Sequence, residues 1–266
     1  MFRKNLLKLF IITGIFFITG CDIIKEGDRL IPITGGSVRE KKVLLVEFTD
    51  QNCRNCPNAT NEINKLKDRF SDTLIAVSIH ANPLPYPLVT KEGNEYEQYF
   101  QAEDHPDGII DGGMRGQYGS HDPQVWGGFI LERLKPEPTI NIDLSATFNE
   151  TSKEATISVE LKGNKALSNA KLQLWIIESN IKQWQLMPDG TRNDNYIHNH
   201  VFRTSVNGTR GESFSIGSGE KKDFNYTCII NAAWKPEDIA IVGFAFNPDN
   251  DEVFNVQEIS LTNKTE

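Results

Sequence analysis

The sequence predicts an α/β domain followed by an all-β sandwich. Between Lys42 and Leu134, nearly continuous apolar runs alternate with stretches of helical spacing. At Pro136 and Pro138 the apolar period changes from about 3.6 to about 2 residues and keeps that value toward the end of the chain. The composition, 38% hydrophobic and 24% charged over 266 residues, is that of a folded protein and long enough for two cores. The boundary is expected near residue 137, with domains at 41–137 and 138–266. A net charge of -8, from 28 Lys+Arg against 36 Asp+Glu with no long basic run, excludes a nucleic-acid partner.

The N-terminus carries Arg3, Lys4 and Lys8, an apolar stretch from Leu9 to Ile18 broken by Thr13 and Gly14, and then Thr19, Gly20 and Cys21. The stretch falls short of the roughly 20 residues that cross a bilayer, so residues 1–20 read as a signal peptide. Ile18, Thr19, Gly20 and Cys21 resemble the lipobox of bacterial lipoproteins, which implies cleavage before Cys21 and lipidation of its thiol. The lipid would hold the protein on a membrane. Residues 22–40, with Gly27, Pro32, Gly35, Gly36 and Ser37 and no period, read as a tether.

Val43 to Phe48 is apolar except for Glu47, the pattern of a strand buried on both faces, and it leads to Cys53. Ala59, Ile63, Leu66 and Phe70 share one helical face. A second buried strand is expected at Leu74 to Ile79, a helix at Glu92 to Phe100, a short strand at Gly108 to Asp111 and a helix at Gln124 to Leu134. Beyond Pro138, strict alternation marks strands at Ile140 to Phe148, Ala155 to Leu161, Ala170 to Ile176 and Phe224 to Ile230, with further strands at Ile239 to Phe246 and Val253 to Leu261.

The chemistry is expected at Cys53 and Cys56. A strand running into CxxC at a helix start sets the first sulfur beside unpaired backbone amides, which favour a thiolate nucleophile. Two intervening residues, Arg54 and Asn55, leave Cys56 within reach to close a disulfide or resolve a mixed one. Two other readings compete. A zinc site needs further ligands, for which Cys228, His80, His105 and His121 are scattered candidates. A structural staple across so short a loop would stabilise by only about 2 kcal/mol.

The segment resembles the thioredoxin fold. There the first CxxC cysteine follows a buried acid by six residues, an offset that Glu47 occupies here, and a cis-proline faces the dithiol. Pro106 stands about fifty residues on, just before a strand, with His105 preceding it. That resemblance implies Cys53 as nucleophile, Cys56 as resolving thiol and Glu47, His105 and Pro106 around them. The Asn52 before the pair and the Arg-Asn between depart from thioredoxin, so the redox potential does not transfer. More widely, residues 41–262, with VLLVEFTDQNCRNCP, HPDGIID and YIHNHVFR, are similar to the Bacteroidetes family named for a twenty-eight-kilodalton outer-membrane lipoprotein. The resemblance implies an α/β thioredoxin-like domain followed by an all-β immunoglobulin-like sandwich, attached to the outer membrane by lipid on Cys21.

The function expected is thiol–disulfide exchange with protein thiols or disulfides of the cell envelope, with no cofactor and no resident metal. A non-catalytic adhesin or assembly lipoprotein, and copper delivery through Cys53, Cys56 and a histidine, are the alternatives. Cys228, on the apolar phase of its strand, is expected to be an inert core thiol. His198 and His200 are expected to share one strand face, and Trp175, Trp184 and Trp234 to be core or interface aromatics. Asp72, Thr73 and Leu74 match a short acceptor pattern for O-linked sugars. The β domain shows no convergent acid, base and nucleophile, so it is expected to bind or position, and residues 41–137 alone are expected to retain exchange.

Overall fold

The computed structural model describes residues 41–262 apart from Glu103 and 113–117. The expected signal peptide, Cys21 and the tether lie outside the described residues. The described residues all fall in one compact unit.

Strand β1 (Val43–Thr49) is buried along its whole length, as its apolar run requires. Helix α1 (Cys56–Phe70) opens with Pro57, where no intrahelical amide is lost, and presents Ala59, Ile63 and Leu66 to the sheet. Strand β2 (Leu74–His80) returns parallel to β1, in register from Val43 against Leu74 to Thr49 against His80. Helix α2 (Lys91–Phe100) is capped by Thr90, whose hydroxyl accepts from the Gly93 amide at 2.9 Å. Strand β3 (Asp107–Ile110) then runs antiparallel to β1, and β4 (Gly119–Ser120) antiparallel to β3. Helix α3 (Trp126–Leu134) packs its fully buried Trp126 over Gly108, where a Cβ would collide with the indole ring. The expected helix at Gln124 to Leu134 therefore begins two residues later, after a 3-10 turn over Pro123–Val125.

Apart from a 3-10 turn over Pro236–Asp238, the regular structure that follows is β. Its strands are β5 (Ile140–Asn149), β6 (Glu154–Gly163), β7 (Leu167–Glu178), β8 (Ile181–Leu186), β9 (Arg192–His198), β10 (Val201–Ser205), β11 (Glu212–Ile216), β12 (Lys221–Ile229), β13 (Ile239–Phe246) and β14 (Val253–Ser260). Strands β12, β6 and β5 form one small sheet; β8 and β9 form a hairpin of their own. All others join a nine-stranded sheet in the order β14-β13-β7-β10-β2-β1-β3-β4, with β11 beside β7.

That order runs across the boundary expected near residue 137. Strand β10 pairs with β2 through Val201 and Ser78, and the Ser78 amide donates to the His200 carbonyl at 2.8 Å. The larger sheet of the sandwich is thus continuous with the sheet that carries α1 to α3. Its faces share cores accordingly. Val43, Leu45 and Ala76 pack with Ala59, Ile63, Leu66, Trp126 and Ile130 on the α1 and α3 side. On the α2 side, Leu44, Phe48, Val77 and Tyr96 pack with Trp175, Ile177, Phe202, Val242 and Phe244 from the β half. A third cluster, including Ile142, Ile157, Leu172, Leu174, Ile176 and Ile241, fills the sandwich between β5, β6 and β12 and the β7, β11, β13 region. Strands β7 and β13 are therefore covered on both faces.

Candidate disulfide site

Strand β1 delivers the loop Asp50–Asn55, and α1 begins at Cys56. Cys53 and Cys56 form a disulfide with Sγ atoms 2.12 Å and Cα atoms 5.5 Å apart. Cys56, the first residue of α1, is 1% exposed, whereas Cys53 is half-buried. The Cys56 amide donates to Cys53 Sγ at 3.1 Å. The less buried cysteine is therefore the one whose sulfur a helix-start amide already addresses, an arrangement that stabilises negative charge there on reduction.

Strands β1, β2 and β9 and the start of the loop after β1 carry buried polar side chains. Glu47 is 1% exposed; Ser78 Oγ donates to its Oε2 at 2.8 Å, while Oε1 has no hydrogen-bond partner. Burial pushes its carboxyl up to about 7, against the partial counteraction of Ser78. Asp50 is also pushed up by burial, with Asn82 Nδ2 donating to it at 2.6 Å. His80 and His198 meet edge to face with ring centroids 5.2 Å apart, and His80 Nδ1 and His198 Nε2 are buried without hydrogen-bond partners. Burial holds His198 down to about 4 and His80 well below the usual imidazole range, so both are neutral at pH 7. Tyr196 stacks edgewise on His198 at 4.8 Å, and the Thr60 hydroxyl donates to the Cys56 carbonyl at 3.2 Å.

The peptide bond between His105 and Pro106 is cis. The His105 ring turns toward α2: its Nε2 lies 2.8 Å from Glu97 Oε1. That approach lacks hydrogen-bond geometry, and burial lowers the imidazole to about 4, so it is a contact of a neutral ring with a carboxylate rather than a salt bridge.

The remaining wall comes from the β8–β9 hairpin, which sequence reasoning missed. Leu186 donates its amide to the Gln51 carbonyl at 2.8 Å, and Gln51 Nε2 donates to the Trp184 carbonyl at 2.8 Å. The Gln185 side chain donates to the carbonyls of Asp50 at 3.2 Å and Cys53 at 3.0 Å. At the hairpin turn Gly190 has φ 85°, and the Arg54 guanidinium occupies the space a Cβ would take. The signal that marks this hairpin is Met187-Pro188-Asp189-Gly190, a Pro-Asp-Gly turn between β-compatible runs.

Several expectations change. His198 ends β9, but His200 lies beyond it at φ 55°, so the two do not share a strand face. Cys228 is half-buried rather than enclosed, and its thiol is pushed up by burial and then by Glu154. Trp175 is a core residue at 2% exposure, whereas Trp184 lies on the hairpin between the Tyr86 ring, 5.1 Å away, and the Arg192 guanidinium, 4.6 Å away. Thr73, in the short acceptor pattern, donates its hydroxyl to the Phe70 carbonyl at 2.6 Å. Among the described residues, no three His, Cys, Asp or Glu side chains gather as metal ligands.

The fold is similar to that of HBP35 of Porphyromonas gingivalis, with TM-score 0.70 at 18% identity over 85% of this chain and 78% of that one. A protein from Agrobacterium tumefaciens is similar with TM-score 0.52 at 14% identity, over 86% of this chain and 98% of that one. A domain of the outer membrane lipoprotein Omp28 from Porphyromonas gingivalis aligns at 22% identity over 48% of this chain and 91% of that one, with TM-score 0.34. Identities this low speak for fold alone. No curated protein matches the chain. The family model for outer membrane protein Omp28 matches residues 93–265, from within α2 to the C-terminal strand, and stops short of Cys53 and Cys56. With most of its length matched, the chain belongs to the Omp28 outer membrane protein family, and its location is the outer membrane.

Proposed function

We propose that this outer-membrane protein exchanges thiols and disulfides through Cys53 and Cys56, on a thioredoxin-like N-terminal half. The observation that carries the reading is that Cys53, a half-buried residue, has its sulfur paired with the Cys56 amide at 3.1 Å, at the start of α1. The strand order β2-β1-β3-β4, with β1 and β2 parallel and β3 and β4 antiparallel, supports it, as does the position of Pro106 before β3. In the oxidised state a partner thiolate attacks Cys53 Sγ, the bond to Cys56 breaks, and Cys56 leaves as a thiolate that takes up a proton. A second partner thiolate then attacks the partner sulfur of the mixed disulfide and expels Cys53 thiolate. The partner is oxidised to a disulfide while the pair gains two electrons; the reverse sequence reduces a partner. Glu47, with its carboxyl at about 7, is the group in this region set to exchange a proton near neutrality.

The test has two parts. The Cys53–Cys56 couple should have a potential in the range of exchange catalysts, roughly -120 to -270 mV; a value below about -300 mV would make it a structural bond and leave the adhesin or assembly reading in its place. Cys56→Ser should accumulate mixed disulfides on Cys53 with envelope proteins, and Cys53→Ser should not.

A further inference from the structure

Between Cys53 and the β8–β9 hairpin lies a set of contacts that neither a disulfide staple nor the nucleophile's own helix requires. Gln185 is 3% exposed and Gln51 fully buried, yet each spends its amide on backbone carbonyls at this junction. The Gln185 Nε2 group reaches the carbonyls of Asp50, Cys53 and Leu186, at 3.2, 3.0 and 3.2 Å. Asp50 O also accepts the Cys53 amide at 3.1 Å, so the turn that presents Cys53 and the hairpin share an acceptor. Gln51 closes the junction from the other side through the Trp184 carbonyl and the Leu88 amide, which donates to its Oε1 at 3.1 Å. Buried amides are kept paired because an unpaired one costs about 1–3 kcal/mol. The loop is thereby fixed to the hairpin independently of the disulfide.

We propose that Gln185 is a positioning residue for the Cys53–Cys56 couple: it holds the 50–53 loop so that, once the disulfide opens, the Cys53 sulfur still meets the Cys56 amide. The inference rests on the exchange reading above. When a partner thiolate reduces the pair, the covalent tether between Cys53 and Cys56 disappears, and noncovalent contacts alone keep the loop in place. With Gln185 bonded to the Cys53 carbonyl, the helix-start amide remains aimed at the thiolate and stabilises the reduced form. Without it, the loop relaxes, the thiolate loses a charge-assisted hydrogen bond, and the equilibrium moves toward the disulfide. The β half of the chain would then tune chemistry performed by the other half.

The test compares wild type, Gln185→Met, which preserves bulk without donors, and Gln185→Glu, which preserves shape and removes the NH2 group. Two quantities are read on the purified chain: the pH dependence of Cys53 alkylation in the reduced protein, and the redox equilibrium against glutathione. The expected result is a Cys53 titration displaced upward and an equilibrium moved about tenfold toward the disulfide, equivalent to about 30 mV. Ile197→Ser, on the exposed face of the same hairpin, should leave both unchanged. Folded variants with lower thermal stability but unaltered Cys53 titration and equilibrium would overturn the inference while leaving exchange intact; so would failure of both Gln185 variants to fold, which would assign the residue to structure alone. A wild-type pair that does not exchange overturns the function itself, and is seen before any variant is made.

Discussion

Gln185 donates a hydrogen bond of 3.0 Å to the carbonyl of Cys53 across 132 positions of sequence. The less buried cysteine of the disulfide is therefore held by a strand from the other half of the chain.

Residues 41–137 expressed alone should not fold, contrary to what the change of period at Pro136 suggests. Their removal from the chain strips β10 from the edge of β2 and exposes the cluster that Leu44, Phe48, Val77 and Tyr96 share with Trp175, Ile177, Phe202 and Val242. Thermal unfolding of residues 41–266 should show one cooperative transition, and the fragment none. A fragment with its own sharp transition would restore the two-domain description.

Glu47 should make stability fall as pH rises. Its folded carboxyl at about 7 lies above the ordinary 4.5, so between those values the folded protein keeps a proton that the unfolded chain has released. The stabilisation is complete below about 4.5 and lost as pH passes 7, a difference of about 3 kcal/mol from a shift of this size. Glu47→Gln should flatten that part of the pH–stability curve, measured by urea unfolding from pH 5 to 8. In exchange assays it should remove an inflection near neutrality.

Asp111 should be among the least replaceable residues. Lys41 Nζ and Arg133 Nε both bond its Oδ2, and the Leu44 amide donates to Oδ1 at 2.9 Å. Desolvation already lowers Lys41, and the carboxylate opposes it. Asp111→Ala leaves a buried ammonium without its counter-charge and should destabilise by about 3–5 kcal/mol. Asp111→Asn retains the acceptor for Leu44 but not the charge, and should fall between the two in chemical denaturation.

Cys21 should be the mature N-terminus and carry lipid. Mass spectrometry of the membrane-extracted protein should find acyl chains on that residue, and Cys21→Ser should abolish both the lipid and membrane retention. Equal palmitate incorporation in wild type and variant would reject the assignment.

Local pattern in the sequence was enough for much of the molecule. Continuous apolar runs at Val43–Phe48 and Leu74–Ile79 identified strands covered on both faces, and alternation identified β5, β6 and β12, which face a core on one side only. The CxxC spacing put Cys53 and Cys56 within reach of each other, and the two form a disulfide. Strands β8 to β11 went unread because they are short, polar at positions such as Gln183, Gln185 and Asn193, and stabilised by partners remote in sequence. Periodicity reports which face of an element is buried, not what buries it. Only the tertiary structure decided that β10 continues the first sheet, that His198 packs on His80 rather than beside His200, and that the hairpin holds the Cys53 loop. Those relationships are hydrogen bonds and ring contacts between residues more than a hundred positions apart, and they come into being when the shared core closes.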